Sequence, residues 1–104
     1  MPRQIIAPKP VSSTVVYVWD FTSLLLPNDT ISAVSSVVAS VYSGTDANPS
    51  NIISGAAYFT TPKVYQLIQT GVIGVTYEIK VTVTTGASGT LVLTSYLTII
   101  PDLQ

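Results

Sequence analysis

The chain has 104 residues, the size of one ordinary domain, and only 9% of them are charged, against about a quarter in average soluble proteins. It contains neither cysteine nor histidine, which excludes disulfides, thiolate nucleophiles and the commonest general base. Its four basic residues are scattered and its net charge is −1, so no basic patch is available for a nucleic-acid backbone.

A surface with so few charges favours association with other subunits. The alternative is a monomer coated with serine and threonine.

The first 13 residues, "MPRQIIAPKPVSS", hold three prolines, which neither a helix nor a central strand tolerates. We therefore predict an extended N-terminal arm over residues 1–13, followed by one domain over residues 14–104. The arm is either a frayed terminus or a segment that contacts a neighbouring subunit, with Arg3, Ile5 and Ile6 as candidate interface residues. It has no apolar region typical of a secretory signal, so we expect synthesis and folding in a cytoplasm.

The stretch "TVVYVWDF" (14–21) alternates with period two and is apolar on both faces. This pattern predicts a central, buried strand, with Trp19 as a structural core residue. The following "LLLPNDT" predicts a turn around Pro27, Asn28 and Asp29.

Several shorter segments of strand character follow in chain order. They are "AVSSVVASVYSG" (33–44), "IIS" (52–54), "AYFT" (57–60) and "KVYQLIQ" (63–69). The loop "TDANPSN" (45–51) lacks the spacing of a calcium loop and is interpreted as a turn. Tyr58 and Tyr65 are candidate outward-facing interface residues, because amphipathic rings are favoured at protein interfaces.

Residues 76–100 show the clearest pattern of the chain. Apolar residues alternate with Thr, Glu and Lys through "TYEIKVTVTT", a Gly-containing turn follows, and leucines continue on the return strand. This predicts a long β-hairpin. About seven short strands without helical periodicity predict an all-β antiparallel sandwich.

The chain offers little that could perform a reaction. Its five carboxylates are far apart in sequence, and Asp20 is interpreted as a strand-end acid that binds the following turn at Thr22 and Ser23. We expect no enzymatic activity, no catalytic residues, no metal and no cofactor.

The run "GVIGVTYEIKVTV" resembles the penultimate strand of immunoglobulin-like domains, with Gly71 and Gly74 leading to Tyr77 at the strand start. The resemblance implies an immunoglobulin-like sandwich in which Tyr77 has the structural role of a tyrosine corner, its hydroxyl bonding the preceding loop. The cysteines of antibody domains are missing.

Over residues 14–100 the chain also resembles small immunoglobulin-like structural proteins of tailed bacteriophages. The matching segments are "WDFTSLL", "SGTDANPS" and the Gly-x-x-Gly-x-x-Tyr entry to the last hairpin. The resemblance implies a non-enzymatic virion protein, either a capsid decoration (cement) protein or a neck or tail accessory, made in the host cytoplasm. Its partners would be capsid, neck or tail subunits, with neither a membrane nor nucleic acid as a direct ligand. The alternative function is an accessory module that binds carbohydrate on a cell surface through exposed aromatic residues.

Overall fold

The computed structural model describes residues 3–87 and 89–102, with side chains from Ile6 onward. These residues form an all-β structure of two packed sheets. The strands are β1 (Arg3–Ile5), β2 (Lys9–Pro10), β3 (Val15–Asp20), β4 (Ile31–Ser43), β5 (Ile53–Thr60), β6 (Lys63–Ile68), β7 (Thr76–Thr85) and β8 (Thr90–Ile100), with a single 3₁₀ turn at Pro49–Ile52 before β5.

The larger sheet has the strand order β1-β8-β7-β4, and β2 also pairs with β8. The smaller sheet has the order β3-β6-β5. Both N-terminal strands run parallel to β8, whereas the other pairings are antiparallel. The predicted all-β sandwich is therefore observed as two sheets packed face to face.

The core lies between the sheets and is filled by alternate residues of their strands. In β7, Tyr77, Ile79, Val81 and Val83 are buried, and the residues between them are half-buried on the outer face. Antiparallel pairing of β7 with β8 runs from Thr76–Thr98 to Thr84–Thr90, which confirms the predicted hairpin. Period-two alternation was enough to predict this hairpin, because one face of the hairpin packs on the core and the other does not.

The prediction that β3 is a central strand buried on both faces was wrong. β3 is an edge strand of the smaller sheet, and its residues alternate between buried and exposed. Tyr17 and Trp19 point into the core, but Val16 is 43% exposed and Val18 is 37% exposed. No third layer of the described residues covers this sheet, so its outer face remains open to solvent.

The two short strands expected at 52–54 and 57–60 form one strand, β5, and Ile52 belongs to the 3₁₀ turn before it. The pairing of β5 with β6 changes register between Ser54 and Tyr58, next to Gly55 with φ +70°. A glycine adopts this left-handed conformation without the steric cost that Cβ imposes. The apparent break in the sequence is therefore an irregularity within a single strand.

Among the described residues, none of the helical structure is long and apolar enough to cross a membrane.

Candidate partner-binding surfaces

The outer face of the smaller sheet carries an exposed group of apolar and aromatic side chains. Pairing places Val16 opposite Leu67, Val18 opposite Tyr65, and Tyr65 opposite Tyr58. We call these five residues the aromatic face. Tyr58 is 54% exposed, and its ring stacks on that of Tyr65 with 5.0 Å between centroids and 10° between planes. An apolar face open to solvent is typical of a surface that binds another protein.

The outer face of the larger sheet has a different character. On β7 its residues are Thr76, Thr82 and Thr84 together with Glu78 and Lys80, and all five are half-buried. The Thr76 and Thr98 hydroxyls lie 2.9 Å apart and form a hydrogen bond across the strands. On β7 this face is polar and satisfies part of its hydrogen bonding internally. It also exposes Val38 and Tyr42 of β4, and the ring of Tyr42 lies 4.5 Å from that of Tyr96 on β8. Glu78 and Lys80 lie opposite Tyr96 and Val38, whereas the aromatic face has adjacent apolar and aromatic residues across three strands with no charge between them, so the aromatic face is the more suitable of the two for burial against a partner.

The predicted arm residues lie beside β8 through their backbone. Arg3 pairs with Thr94 and Ile5 pairs with Tyr96, while the side chains of Arg3 and Ile5 lie outside the described residues. Ile6 is partly buried and packs against the domain's own core. Much of the apolar surface of Ile6 is therefore used within the domain.

Tyr77 joins two loops at one end of the sandwich. Its buried hydroxyl donates a 2.6 Å hydrogen bond to Asp46 Oδ2 and accepts a 3.0 Å bond from the backbone N–H of Val72. Burial and the bond to Asp46 raise the pKa of Tyr77 to about 12. Bonds from Tyr77 and from the Asn48 backbone lower the pKa of Asp46. Tyr77 thus holds together the loop between β4 and β5 and the loop between β6 and β7, as a structural residue rather than a reactive one.

Trp19 lies in the middle of the core and is fully buried. Its indole nitrogen donates a 2.9 Å hydrogen bond to Ser95 Oγ on β8 of the opposite sheet. The ring of Tyr17 lies 6.5 Å from that of Trp19, at 55°. The tryptophan accordingly has a structural place in the core and is not exposed for ligand binding.

Comparison with protein-family models gives a match over residues 9–98 to the family described as Podophage GP4 fiber-tail adaptor protein gp77. The chain belongs to this family. Members of the gp77 adaptor family are structural proteins of tailed-phage virions, so this chain is a structural virion component. Comparisons with curated proteins and with solved structures found no match.

In this gp77 family member, several carboxylates accept hydrogen bonds from nearby backbone N–H groups and hydroxyls. Asp20 Oδ1 accepts the backbone N–H and the hydroxyl of Thr22, which lower its pKa and confirm the predicted strand-end role. Asp102 Oδ1 accepts the backbone N–H of Ser12, and its pKa is lowered as well. No group of three metal-ligating side chains occurs within residues 3–87 and 89–102.

Sequence reasoning missed two features of this gp77 adaptor domain. The first is the exposure of Val16, Val18 and Leu67, because alternation shows which residues share a face but not whether that face is covered. The second is the burial of Lys9, whose Nζ donates to the carbonyls of Pro10 and Val11 at 2.7 and 3.1 Å. A single lysine between prolines carries no sequence signal for burial.

Proposed function

We propose that this protein is a non-enzymatic adaptor that joins a tail fibre to the tail of a podophage particle through protein–protein contacts. The match of residues 9–98 to a family of fibre–tail adaptors carries the proposal. The low charge of the chain supports it, because surfaces with few charges associate readily with other subunits.

The aromatic face is the proposed contact surface for one of the two components. Tyr side chains supply large contact area at small entropic cost, and a desolvated Tyr pair flanked by Val and Leu is typical of the centre of an interface. The occupant we propose is an uncharged, apolar strand or loop of a tail protein, since Asp20 and Lys63 are the charged residues on this side of the sheet and they pair with each other in register.

The fold proposed for this adaptor is immunoglobulin-like. The orders β3-β6-β5 and β4-β7-β8 correspond to the strand orders B-E-D and C-F-G of such domains. The bond from the Val72 backbone to the Tyr77 hydroxyl, at the start of the penultimate strand, supports the same fold as a tyrosine corner.

The absence of enzymatic activity is part of the proposal. The chain lacks His and Cys, and the carboxylates of Asp20, Asp46 and Asp102 are bound by neighbouring amides and hydroxyls. A carboxylate with a lowered pKa that is fixed by local hydrogen bonds is a poor general acid or base at neutral pH.

Two other functions compete with the adaptor role. A capsid decoration protein would be present in about as many copies as the major capsid protein. A carbohydrate-binding module would need aromatic rings open for stacking on a sugar, but Tyr58 and Tyr65 stack on each other and each covers a ring face of the other.

The adaptor function can be tested in phage particles made without this chain and complemented with wild type or with a variant. Tyr58→Ser combined with Leu67→Ser removes the most exposed ring of the aromatic face, 54% exposed, together with Leu67, which is 37% exposed. The matched control is Tyr42→Ser, which removes a 65% exposed tyrosine from the other sheet. The measurement is the ratio of fibre protein to tail protein in purified particles by quantitative mass spectrometry.

We expect particles without the chain to lack fibres, wild type and Tyr42→Ser to restore them, and the double variant to fail. Fibres at the normal ratio in particles without the chain would exclude the adaptor function. One copy of the chain per major capsid protein would instead support capsid decoration. Retention of the chain on a glycan surface, abolished by the double variant, would support the carbohydrate-binding module.

A further inference from the structure

Three connections meet at the end of the sandwich opposite Tyr77, and we call them the loop tip. They are the β3–β4 connection (21–30), the β5–β6 turn (61–62) and the described part of the β7–β8 turn (86–87). Residue types in the β3–β4 connection predict a turn, and no function was predicted for it. An adaptor must contact two components, so a second surface distinct from the aromatic face is required by the proposed function, on which this inference rests.

Hydrogen bonds fix the three connections to one another. The Gly86 backbone donates to the Thr30 carbonyl at 2.9 Å, and the Ile31 backbone donates to Thr61 Oγ1 at 3.0 Å. The Phe21 backbone donates to the Pro62 carbonyl at 2.9 Å. The loop tip is therefore ordered before any partner binds, which reduces the entropic cost of binding.

The β3–β4 connection buries one part of itself and exposes another. Leu24 and Leu25 pack against the core, whereas Leu26 is 68% exposed. After Leu26, Pro27 and Asn28 form a turn closed by a 3.0 Å bond from the Asp29 backbone to the Leu26 carbonyl. Proline followed by a residue of positive φ, here Asn28 at +65°, is the signature of a type II turn. The turn holds Leu26 out at the surface.

Two grooves lie on either side of this turn. The first, about 380 Å³, runs between the β3–β4 connection and the β5–β6 turn, and the second, about 370 Å³, runs between the same connection and the β7–β8 turn. The residues lining both grooves are Leu26, Pro27, Asp29 and Thr30. Leu26 and Pro27 thus form an apolar ridge between two shallow clefts.

Asp29 is the charged residue lining both grooves. Its Oδ1 accepts the backbone N–H of Thr30 at 2.8 Å and that of Ala87 at 3.2 Å, which fixes the carboxylate in place. Its Oδ2 makes no hydrogen bond with the described residues, and none of the residues lining either groove is basic. The grooves therefore present one fixed negative charge beside an apolar ridge.

We propose that the loop tip binds a segment of the tail fibre, since the aromatic face is assigned to a tail protein, and that this segment places a Lys or Arg side chain against Asp29 Oδ2 and an apolar side chain beside Leu26. The preorganised carboxylate favours a cationic group, because a donor with positive charge compensates the desolvation of Asp29 in a closed contact better than a neutral donor does. The exposed Leu26 adds apolar burial next to it.

The test uses the isolated chain with two probes prepared from the phage: tail particles assembled without the chain, and free tail fibres. Asp29→Asn removes the charge but keeps an oxygen that can accept from Thr30 and Ala87, and Leu26→Ser removes the ridge. Glu78→Gln is the control, since it removes one negative charge from the outer face of the larger sheet. Affinity for each probe is measured by biolayer interferometry at low and at high NaCl.

We expect Asp29→Asn and Leu26→Ser each to weaken binding to free tail fibres by at least about tenfold and to leave binding to the tail particles unchanged. Glu78→Gln should bind both probes like wild type. Binding of wild type to the fibres should weaken with salt more steeply than binding of Asp29→Asn. Binding of both variants to the fibres with wild-type affinity would overturn the loop-tip inference and leave the adaptor function standing. If wild type binds neither the fibres nor the tail particles, the adaptor function itself is excluded.

Discussion

The indole nitrogen of Trp19 and the hydroxyl of Ser95 are joined by a 2.9 Å hydrogen bond across the interior of the sandwich. Trp19 lies on β3 of the smaller sheet and Ser95 lies on β8 of the larger one, and both are fully buried. Nonpolar contacts dominate this core, so a directed bond between the sheets also fixes their relative position.

Replacing Ser95 with alanine should therefore destabilise the domain. The indole N–H would be left buried without a partner, at a cost of about 1–3 kcal/mol in the free energy of unfolding. Urea unfolding followed by the fluorescence of Trp19 measures the change. Ser40→Ala on the exposed face of β4 is the control and should differ from wild type by less than about 0.5 kcal/mol. Equal stability of Ser95→Ala and wild type would show that the bond contributes nothing net.

The extent to which this architecture could be predicted differs between its parts. The hairpin over 76–100 and the core position of Trp19 follow from period-two alternation, because alternation is a local property of the chain. The exposure of Val16 and Val18 does not follow, since it depends on which layers the fold stacks on the sheet. The candidate surfaces show the same difference. Tyr58 and Tyr65 could each be predicted as an interface residue from residue type, but the stacking of their rings depends on strand register and could not be predicted.

The loop tip illustrates the same limit. The turn at Pro27 and Asn28 was predicted from residue type, and the bond from the Asp29 backbone to the Leu26 carbonyl confirms it. The contact of Asp29 with Ala87 joins residues 58 positions apart and could not be predicted from either segment. A turn can thus be predicted from the residues that form it, whereas the proximity of three loops depends on the sheet topology and cannot.

Tyr77→Phe should destabilise the domain although it keeps the ring. Phenylalanine removes the hydroxyl that bonds the Val72 N–H and Asp46 Oδ2; both groups lie near solvent, so we expect the net loss of these bonds to cost about 0.5–1.5 kcal/mol in the free energy of unfolding. Tyr42→Phe, at a 65% exposed ring, should change stability by less than about 0.5 kcal/mol. Similar urea midpoints for the two variants would contradict a structural role of the Tyr77 hydroxyl.

The same variant should change the pH dependence of stability. The folded-state pKa of Tyr77, about 12, is above its unfolded value near 10, so its contribution is complete below pH 10 and is lost as the pH rises towards 12. Tyr77→Phe should lose less stability over this range than wild type. Burial also raises the pKa of Tyr17, which adds a common decline to both proteins. An identical alkaline decline in both would show that Tyr77 does not carry this dependence.

Lys9 should produce a pH dependence of opposite sign below pH 10.5. Burial lowers the pKa of Lys9 in the folded protein, and the charge of Asp102 opposes this shift. Between the lowered folded pKa and the unfolded value of 10.5, the unfolded chain therefore binds more protons than the folded protein. The free energy of unfolding accordingly rises with pH across that interval. Lys9→Met, a replacement of similar length without charge, should abolish the rise while remaining within about 1 kcal/mol of wild type at neutral pH. Urea midpoints as a function of pH measure this, with Lys80→Met as the control. A rise of the same steepness in Lys9→Met would assign it to another group.

Gly71 and Gly74 lie in one loop, and alanine variants at these two positions distinguish the cost of backbone strain from the cost of a steric clash. Both have positive φ, +106° and +86°, so alanine is strained at either position. A Cβ at Gly71 would lie 2.6 Å from Ile99 Cγ1, whereas a Cβ at Gly74 meets nothing within 4 Å. We expect Gly74→Ala to cost about 1 kcal/mol in the free energy of unfolding, and Gly71→Ala about 1–3 kcal/mol more, because the buried Ile99 must shift in a packed core. Urea unfolding of the two variants side by side gives the difference directly. Equal costs would mean that Ile99 relaxes freely and that Gly71 is required for its backbone conformation alone, whereas the expected difference would show that the loop before Tyr77 is held against β8 by a contact that only glycine permits.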